Sequence, residues 1–240
     1  MKDKNDGNET RGACVLDAWD GAHADPRLLP AYIGDVIVPL LDGWKDFIMG
    51  DEPAESAVGD IKDTVPVLMG RAHFRDLVLA SALDPEHVDR GFVDEQIMRP
   101  MGEAAGRLMT DLLSACFSSP LTDSMDRRLR RAADTLAVLA DRHRGEPCEA
   151  ATLTGAAYMA WWACDGKKAL DLGLRALDLD DGIHLACVVI DAVGRGTYPH
   201  MPVHEDATRG DAPDEAMPLG VDPADPMTMT EPASPMGPIL

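Results

Sequence analysis

Residues 160–180, AWWACDGKKALDLGLRALDLD, decide the fold of this chain. Apolar and small residues recur three and four positions apart on both sides of Asp165 and Gly166, which is the spacing of amphipathic helices. The Asp-Gly pair itself favours a turn. Ala169 and Ala176 are small enough to let a second helix approach closely. The stretch therefore predicts two helices joined by a tight turn.

The same periodicity predicts helices along most of the chain. Apolar residues recur at helical spacing over 28–49, where Pro39 is expected to kink or break the helix near Val38. No stretch of useful length shows the two-residue alternation of a half-buried strand. We therefore predict an all-α fold, a helical bundle with an amphipathic helix over 28–49 and a helical domain over 61–200. Within that domain the predicted helical segments are 61–82, 92–117, 122–140, 150–164, 167–179 and 183–194.

Three segments have compositions that predict no stable helix. Residues 1–20 begin with a polar, Gly-containing stretch and are expected to be flexible, and residues 50–60 are expected to be a linker. Residues 201–240 contain eight of the 18 prolines and eight acidic residues against one basic residue, Arg209. Because such a stretch buries too little apolar surface to offset the entropy lost on ordering, we expect a disordered acidic tail.

The composition is acidic, with 42 Asp and Glu against 22 Lys and Arg and a formal charge of −20 over 240 residues. Affinity for nucleic acids and for anionic membranes depends on Lys and Arg, so direct binding to either is not expected. Five scattered cysteines without CxxC spacing are typical of free thiols in a reducing cytoplasm. No uncharged apolar stretch of 18 residues and no secretory signal is visible, so we expect a cytoplasmic protein.

The stretch 160–180 resembles one hairpin of a tetratricopeptide repeat, with the helical segment 183–194 as a capping helix. The turn is about two residues shorter than the usual one. In addition, Gly173 lies where an aromatic residue is usual, and Asp181 replaces the closing proline. Since a free-standing solenoid needs about three repeats, the resemblance implies a tetratricopeptide-like hairpin at the end of a bundle.

A second resemblance covers about residues 65–200. Its motifs are GRAHFRDL (70–77), a long Arg-rich helix, the hairpin of 160–180 and the closing GRGTYP (194–199). In this order and spacing they resemble the C-terminal part of the actinobacterial domain of unknown function 4192 family. That family's larger members carry an N-terminal portion that has no counterpart here. The resemblance implies a helical architecture in a bacterial or phage-borne setting and supplies no catalytic residue.

The candidate binding residues are aromatic and basic. Of the consecutive Trp161 and Trp162, one is expected in the core and the other partly exposed, where it could anchor a peptide. The chain has one cluster of basic residues, and its members Arg127, Arg128 and Arg131 are candidates for binding acidic groups on a partner. A solvated helix face with neighbouring aspartates is the alternative interpretation of these arginines.

Two further groups have structural interpretations. Arg75 and Asp76 are candidates for ion pairs with a neighbouring helix, because adjacent helical residues point about 100° apart and do not pair simply with each other. A second group supplies ligand types that zinc accepts, but packing of small thiols is the stronger interpretation. Its members are Cys148, Cys164, His184 and Cys187. We predict no metal site, no cofactor and no catalytic residue.

Together these features favour a non-enzymatic helical module that binds a protein partner. Residues 28–49 have a wide apolar face that includes Trp44 and Phe47, and homodimerisation could cover it. Two other classes stay open. An acidic DNA mimic that inhibits a nucleic-acid enzyme would need carboxylates at phosphate-like spacing on the folded surface. An enzyme, the least favoured class, would need a pocket with at least two positioned polar groups.

Overall fold

The computed structural model describes residues 6–50 and 55–200. These two ranges are mostly helical and contain no β-strand, which confirms the predicted all-α fold. They lie in the first of the two units into which the chain divides, Met1–Pro202; the second unit is Val203–Leu240. A π-helical turn, Ile33–Ile37, separates α2 from α3. The α-helices are α1 (Asp6–Ala24), α2 (Leu29–Tyr32), α3 (Val38–Met49), α4 (Glu55–Met69), α5 (Ala72–Leu83), α6 (Arg90–Met98), α7 (Glu103–Ser118), α8 (Asp123–Arg142), α9 (Glu149–Trp162), α10 (Gly166–Leu179) and α11 (His184–Gly194).

The helices from α8 onward pack as neighbours in chain order. Helix α9 lies against α8 and α10, and α11 packs on α10. Two side-chain caps begin helices at the predicted places: Thr122 Oγ1 accepts from the backbone N–H of Met125 at 3.3 Å, and Asp165 Oδ1 accepts from that of Lys168 at 3.1 Å. Only residues 163–165 connect α9 to α10, so the predicted pair of helices joined by a tight turn is confirmed.

Helix α5 is the central element of the bundle. Residues 77–83 are all buried, as expected for a helix that is apolar on every side. It contacts α3, α4, α6, α7, α8 and α9. The helices α3, α4 and α8, which also contact one another, are therefore positioned around a common support.

The segment 28–49 packs on the rest of the bundle. Pro39 has no N–H to donate, and its ring crowds the carbonyl four residues earlier. A kink or break was expected near Val38, and the structure has a π-helical turn at Ile33–Ile37, directly before α3. Trp44 is fully buried, and its indole Nε1 donates to the carbonyl oxygen of Val78 at 3.3 Å. The rest of this chain therefore covers most of the apolar face of residues 28–49, for which homodimerisation was considered.

Helix α1 occupies much of the segment 1–20, for which the sequence predicted flexibility. Trp19 is 4% exposed, and its ring lies edge-on to those of Tyr32 and Phe74, with centroid distances of 6.1 and 6.3 Å. Trp19 and Ala22, three residues apart, are buried on one side of the helix, and the partly buried Val15 and Leu16 also pack against the core. Residues 6–20 are thus helical where flexibility was expected, because tertiary packing rather than local composition stabilises this helix; residues 1–5 lie outside the described residues.

The region 50–82 is also divided differently from the prediction. Helix α4 already begins at Glu55, inside the predicted linker, and carries Pro66 in its interior. The helix ends at Met69, and α5 begins at Ala72. One continuous helix was expected over 61–82, so the structure divides this segment into two helices. None of the described helices is both long and apolar enough to cross a membrane. The predicted tail 201–240 lies outside the described residues.

Candidate functional site

An open groove of about 260 Å³, mostly apolar, lies between α3, α4 and α8. Its apolar lining includes Phe47 of α3, Ile61 of α4 and Val138 of α8. Ile61 is only 2% exposed, whereas Val138 is 60% exposed. A branched aliphatic side chain this exposed, in contact with a groove of other apolar groups, forms a surface that a partner can cover.

Helix α8 supplies one wall of the groove. Asp134, Val138 and Arg142 are four residues apart, so they follow one another along one side of the helix. The buried side of α8, which includes Leu136 and Ala140, packs against α9. This packing turns the row of Asp134, Val138 and Arg142 toward the groove. The exposed position of Val138 is therefore a consequence of how the helix is seated.

The charged groups at the groove are unequally compensated. The ammonium group of Lys168 in α10 binds the carboxylate of Asp134. Lys62 of α4 and Arg142 of α8 make no side-chain hydrogen bond or ion pair with any described residue. The groove therefore presents two uncompensated cations beside apolar surface. This arrangement can hold a carboxylate next to an aliphatic side chain, through hydrogen bonds from the two cations.

The three arginines that the sequence nominated lie in different environments. Arg128 is partly buried, and its guanidinium donates to the last two carbonyl oxygens of α5 at 2.8 Å each. Burial lowers the pKa of Arg128, and the nearby Asp84 carboxylate opposes that shift. Arg131 donates to the carbonyl oxygen of Phe47 at 3.4 Å. Arg127 alone of the three is exposed without a partner among the described residues, so these arginines do not form one charge-reading row.

Both tryptophans are buried, so the expectation of an exposed ring is wrong. Trp161 is 8% exposed and Trp162 is 1% exposed, and their rings cluster with those of Phe117 and Tyr158. The indole Nε1 of Trp161 donates to the carbonyl oxygen of Thr197 at 2.8 Å. The segment after α11 folds back over the end of α9 and covers a ring that the helix alone would leave exposed. Neither indole offers a surface for a peptide.

Arg75 and Asp76 pair with each other rather than with a neighbouring helix. The Nε and Nη2 atoms of Arg75 lie 3.2 and 3.1 Å from Oδ1 of Asp76. The separation of about 100° holds for the directions in which adjacent side chains leave the helix, but the long arginine side chain bends back to reach its neighbour. The two side chains are 22% and 44% exposed, so this ion pair contributes little to stability.

The four residues considered for zinc do not form a ligand group among the described residues. Cys164 and Cys187 are exposed, whereas Cys148 is buried at the start of α9. Burial, followed by the nearby carboxylate of Glu146, raises the pKa of Cys148 to about 11. Its thiol is therefore protonated at neutral pH and is not an activated nucleophile.

Sequence reasoning missed the groove because its walls come from three helices that are distant in the chain. One local signal was present in α8. Val138 lies between Asp134 and Arg142 on a row that is otherwise charged, so it interrupts the polar face of an amphipathic helix. An aliphatic residue in such a row indicates a contact or an exposed apolar site.

Comparisons of the chain with protein families, with curated proteins and with solved structures found no match. The two family resemblances of the sequence therefore stay predictions. The groove is interpreted from its own geometry and chemistry.

Proposed function

We propose that this chain is a helical protein–protein interaction module, and that the groove between α3, α4 and α8 binds a peptide segment with aliphatic and acidic side chains. The observation that carries the proposal is Val138, which is 60% exposed beside Lys62 and Arg142, two cations that have no ion-pair partner among the described residues. The tetratricopeptide-like hairpin of the sequence is consistent with an interaction role. The resemblance to the domain of unknown function 4192 family supports a bacterial or phage-borne setting, and the five scattered cysteines support a cytoplasmic location.

Apolar contact supplies most of the expected affinity. An aliphatic side chain seated between Phe47 and Val138 would be removed from water, and such burial contributes about 1.5–3 kcal/mol. Ile61 and Leu139 at the base of the groove are each 2% exposed. Because these side chains are already packed, binding requires little reorganisation of the protein.

Charge supplies the expected preference for acidic segments. A carboxylate beside the bound aliphatic side chain can accept charge-assisted hydrogen bonds from Lys62 and Arg142. Exposed charges more than about 10 Å apart are largely screened at 0.1 M salt. The two local cations therefore outweigh, at the groove, the formal charge of −20 that is distributed over the chain. Binding is expected to weaken as salt concentration rises.

Selection of peptides from a random phage-displayed library on the full-length chain tests this proposal. We expect the enriched peptides to share an aliphatic position flanked by Asp or Glu. The same selection on a Lys62→Gln/Arg142→Gln double variant should lose the acidic preference and keep the aliphatic one.

A matched double variant controls for the change in net charge. Arg127→Gln/Lys167→Gln removes two exposed cations away from the groove and should leave the selected pattern unchanged. Enrichment of no common pattern, or of basic peptides, would contradict the proposal. Equal loss of acidic preference in both double variants would show that overall charge, and not the groove, selects the peptide.

A further inference from the structure

The loop between α8 and α9 draws three metal-ligating side chains together. His143, Glu146 and Cys148 each offer one ligand atom, and these atoms lie within 4.8 Å of one another. Imidazole nitrogen, carboxylate oxygen and thiolate sulfur are the three donor types that proteins use for zinc. This group is independent of the peptide-binding proposal, because none of its side chains lines the groove.

Two of the ligand-atom distances can be compared with those of a tetrahedral zinc site, and all three lie within 4.8 Å. Zinc bonds of about 2.0–2.3 Å at tetrahedral angles separate neighbouring ligand atoms by roughly 3.4–3.6 Å. Cys148 Sγ lies 3.8 Å from Glu146 Oε2, near that value. His143 Nδ1 lies 2.8 Å from the same oxygen, so the carboxylate must move by only about 0.6 Å to admit the ion.

The imidazole of His143 has acceptors on both sides. Its Nε2 lies 3.3 Å from the carbonyl oxygen of Lys62, and its Nδ1 faces the carboxylate of Glu146. A neutral imidazole carries one N–H and can donate to only one of them. In the tautomer whose Nε2–H donates to the carbonyl, the Nδ1 lone pair is free to bind a metal ion on the side of the Glu146 carboxylate. A histidine that donates its second N–H to a backbone carbonyl is the usual arrangement of a metal ligand.

The backbone of the loop is built to hold these residues in place. Gly145 has a φ of +83°, a left-handed conformation that lets the chain reverse between His143 and Glu146. The backbone N–H of Gly145 donates to the buried Glu149 carboxylate at 2.6 Å, which ties the loop to the first turn of α9. His143 and Cys148 are 4% and 8% exposed, whereas the Glu146 side chain is 48% exposed. Two ligands are thus fixed in the protein and the third lies at the solvent boundary.

We infer that His143, Glu146 and Cys148 bind one zinc ion through three protein ligands, with the fourth coordination position open to solvent. The thiolate ligand selects zinc over magnesium and calcium, which prefer oxygen. On coordination the Cys148 thiol gives up its proton to solvent. The bound ion would join the end of α8, the start of α9 and, through His143, the backbone of α4.

Cobalt(II) titration of the full-length chain, followed by zinc competition, tests this inference. Cobalt is a spectroscopic substitute for zinc, and a thiolate ligand gives it a charge-transfer band in the near ultraviolet. We expect one cobalt ion per chain with this band, displaced by zinc. The band should disappear in Cys148→Ser and persist in Cys187→Ser, which removes an exposed thiol elsewhere.

A second variant keeps the test decisive if Cys148→Ser affects folding. Glu146→Gln changes an exposed side chain, and it should weaken cobalt binding by about tenfold or more while the helical circular dichroism stays unchanged. The inference is overturned by the absence of the band in the wild-type chain, by its persistence in Cys148→Ser, or by equal cobalt affinity in wild type and Glu146→Gln.

Discussion

The Nη2 atom of Arg128 and the carbonyl oxygen of Leu83 lie 2.8 Å apart. The Nε atom of the same guanidinium donates to the carbonyl oxygen of Ala82, also at 2.8 Å. These carbonyls belong to the last turn of α5, where a helix has no donors of its own left. A side chain from α8 therefore caps the central helix, and its positive charge is favourable at that helix end.

Replacement of Arg128 by alanine should destabilise the fold rather than impair binding. The change leaves two carbonyl oxygens of α5 without a charged donor, and hydrogen bonds to charged groups contribute about 1.5–3 kcal/mol each. We expect Arg128→Ala to lower the free energy of unfolding in urea by about 3 kcal/mol, the lower end of the sum for two such bonds, because water can bind the freed carbonyls at the helix end. The adjacent Arg127→Ala is the control and should stay within about 0.5 kcal/mol of wild type. Equal effects of the two substitutions would contradict the capping role.

Truncation of Trp162 should likewise act on stability. Its ring is 1% exposed and lies edge-on to Phe117 and Tyr158. Removal of a buried tryptophan leaves a large cavity, so Trp162→Ala should cost about 3–5 kcal/mol in a denaturant titration. Leu179→Ala, at a side chain that is 51% exposed, should change stability by about 0.5 kcal/mol or less. A variant of Trp162 with wild-type stability would mean that the ring does not belong to the core.

The burial of Tyr32 predicts that the free energy of unfolding falls at high pH. Burial, followed by the negative charge of Asp20, raises the pKa of Tyr32 to about 12. The unfolded chain has a tyrosine pKa of about 10. Because the folded state favours the neutral phenol of Tyr32, its contribution to the free energy of unfolding is fully present below about pH 10. This contribution is lost as pH rises from about 10 to about 12.

Urea denaturation of wild type and Tyr32→Phe at a series of pH values measures this contribution. The variant has no phenol to ionise, so its stability should fall less steeply than that of wild type between about pH 10 and 12. Tyr198→Phe controls for the loss of a tyrosine hydroxyl at a different position. Parallel curves for wild type and Tyr32→Phe would show that Tyr32 ionises as freely in the folded state as in the unfolded chain.

The fold was predictable from the sequence where local signals determine structure. Asp165 caps α10 and Thr122 caps α8, and both act through backbone groups only three residues away. The change of helical form before Pro39, from the π-helical turn Ile33–Ile37 to α3, likewise follows from the missing N–H of one residue. Helix α1 was not predictable in this way, because the burial of Trp19 depends on rings that follow it in the chain at positions 32 and 74.

The candidate site was largely not predictable, because exposure is decided by segments distant in sequence. Thr197 and its neighbours cover Trp161, which the helical pattern alone would leave at the surface. Arg128 reaches the end of α5, so a residue on a charged face became a cap. Val138 and Phe47 meet only because α3 packs on α8. Sequence periodicity gives the side of a helix on which a residue lies, but not which element faces that side.

The most direct test of groove binding is the affinity of the most enriched acidic, aliphatic peptide for three forms of the full-length chain. These are wild type, Val138→Asp and Val188→Asp, measured by fluorescence anisotropy. Val188 in α11 is 54% exposed, close to the 60% of Val138, so it is a matched control. Binding in the groove predicts an affinity loss of about tenfold or more, equivalent to about 1.4 kcal/mol, for Val138→Asp and no change for Val188→Asp. Equal affinity of wild type and Val138→Asp, or equal losses in both variants, would contradict it.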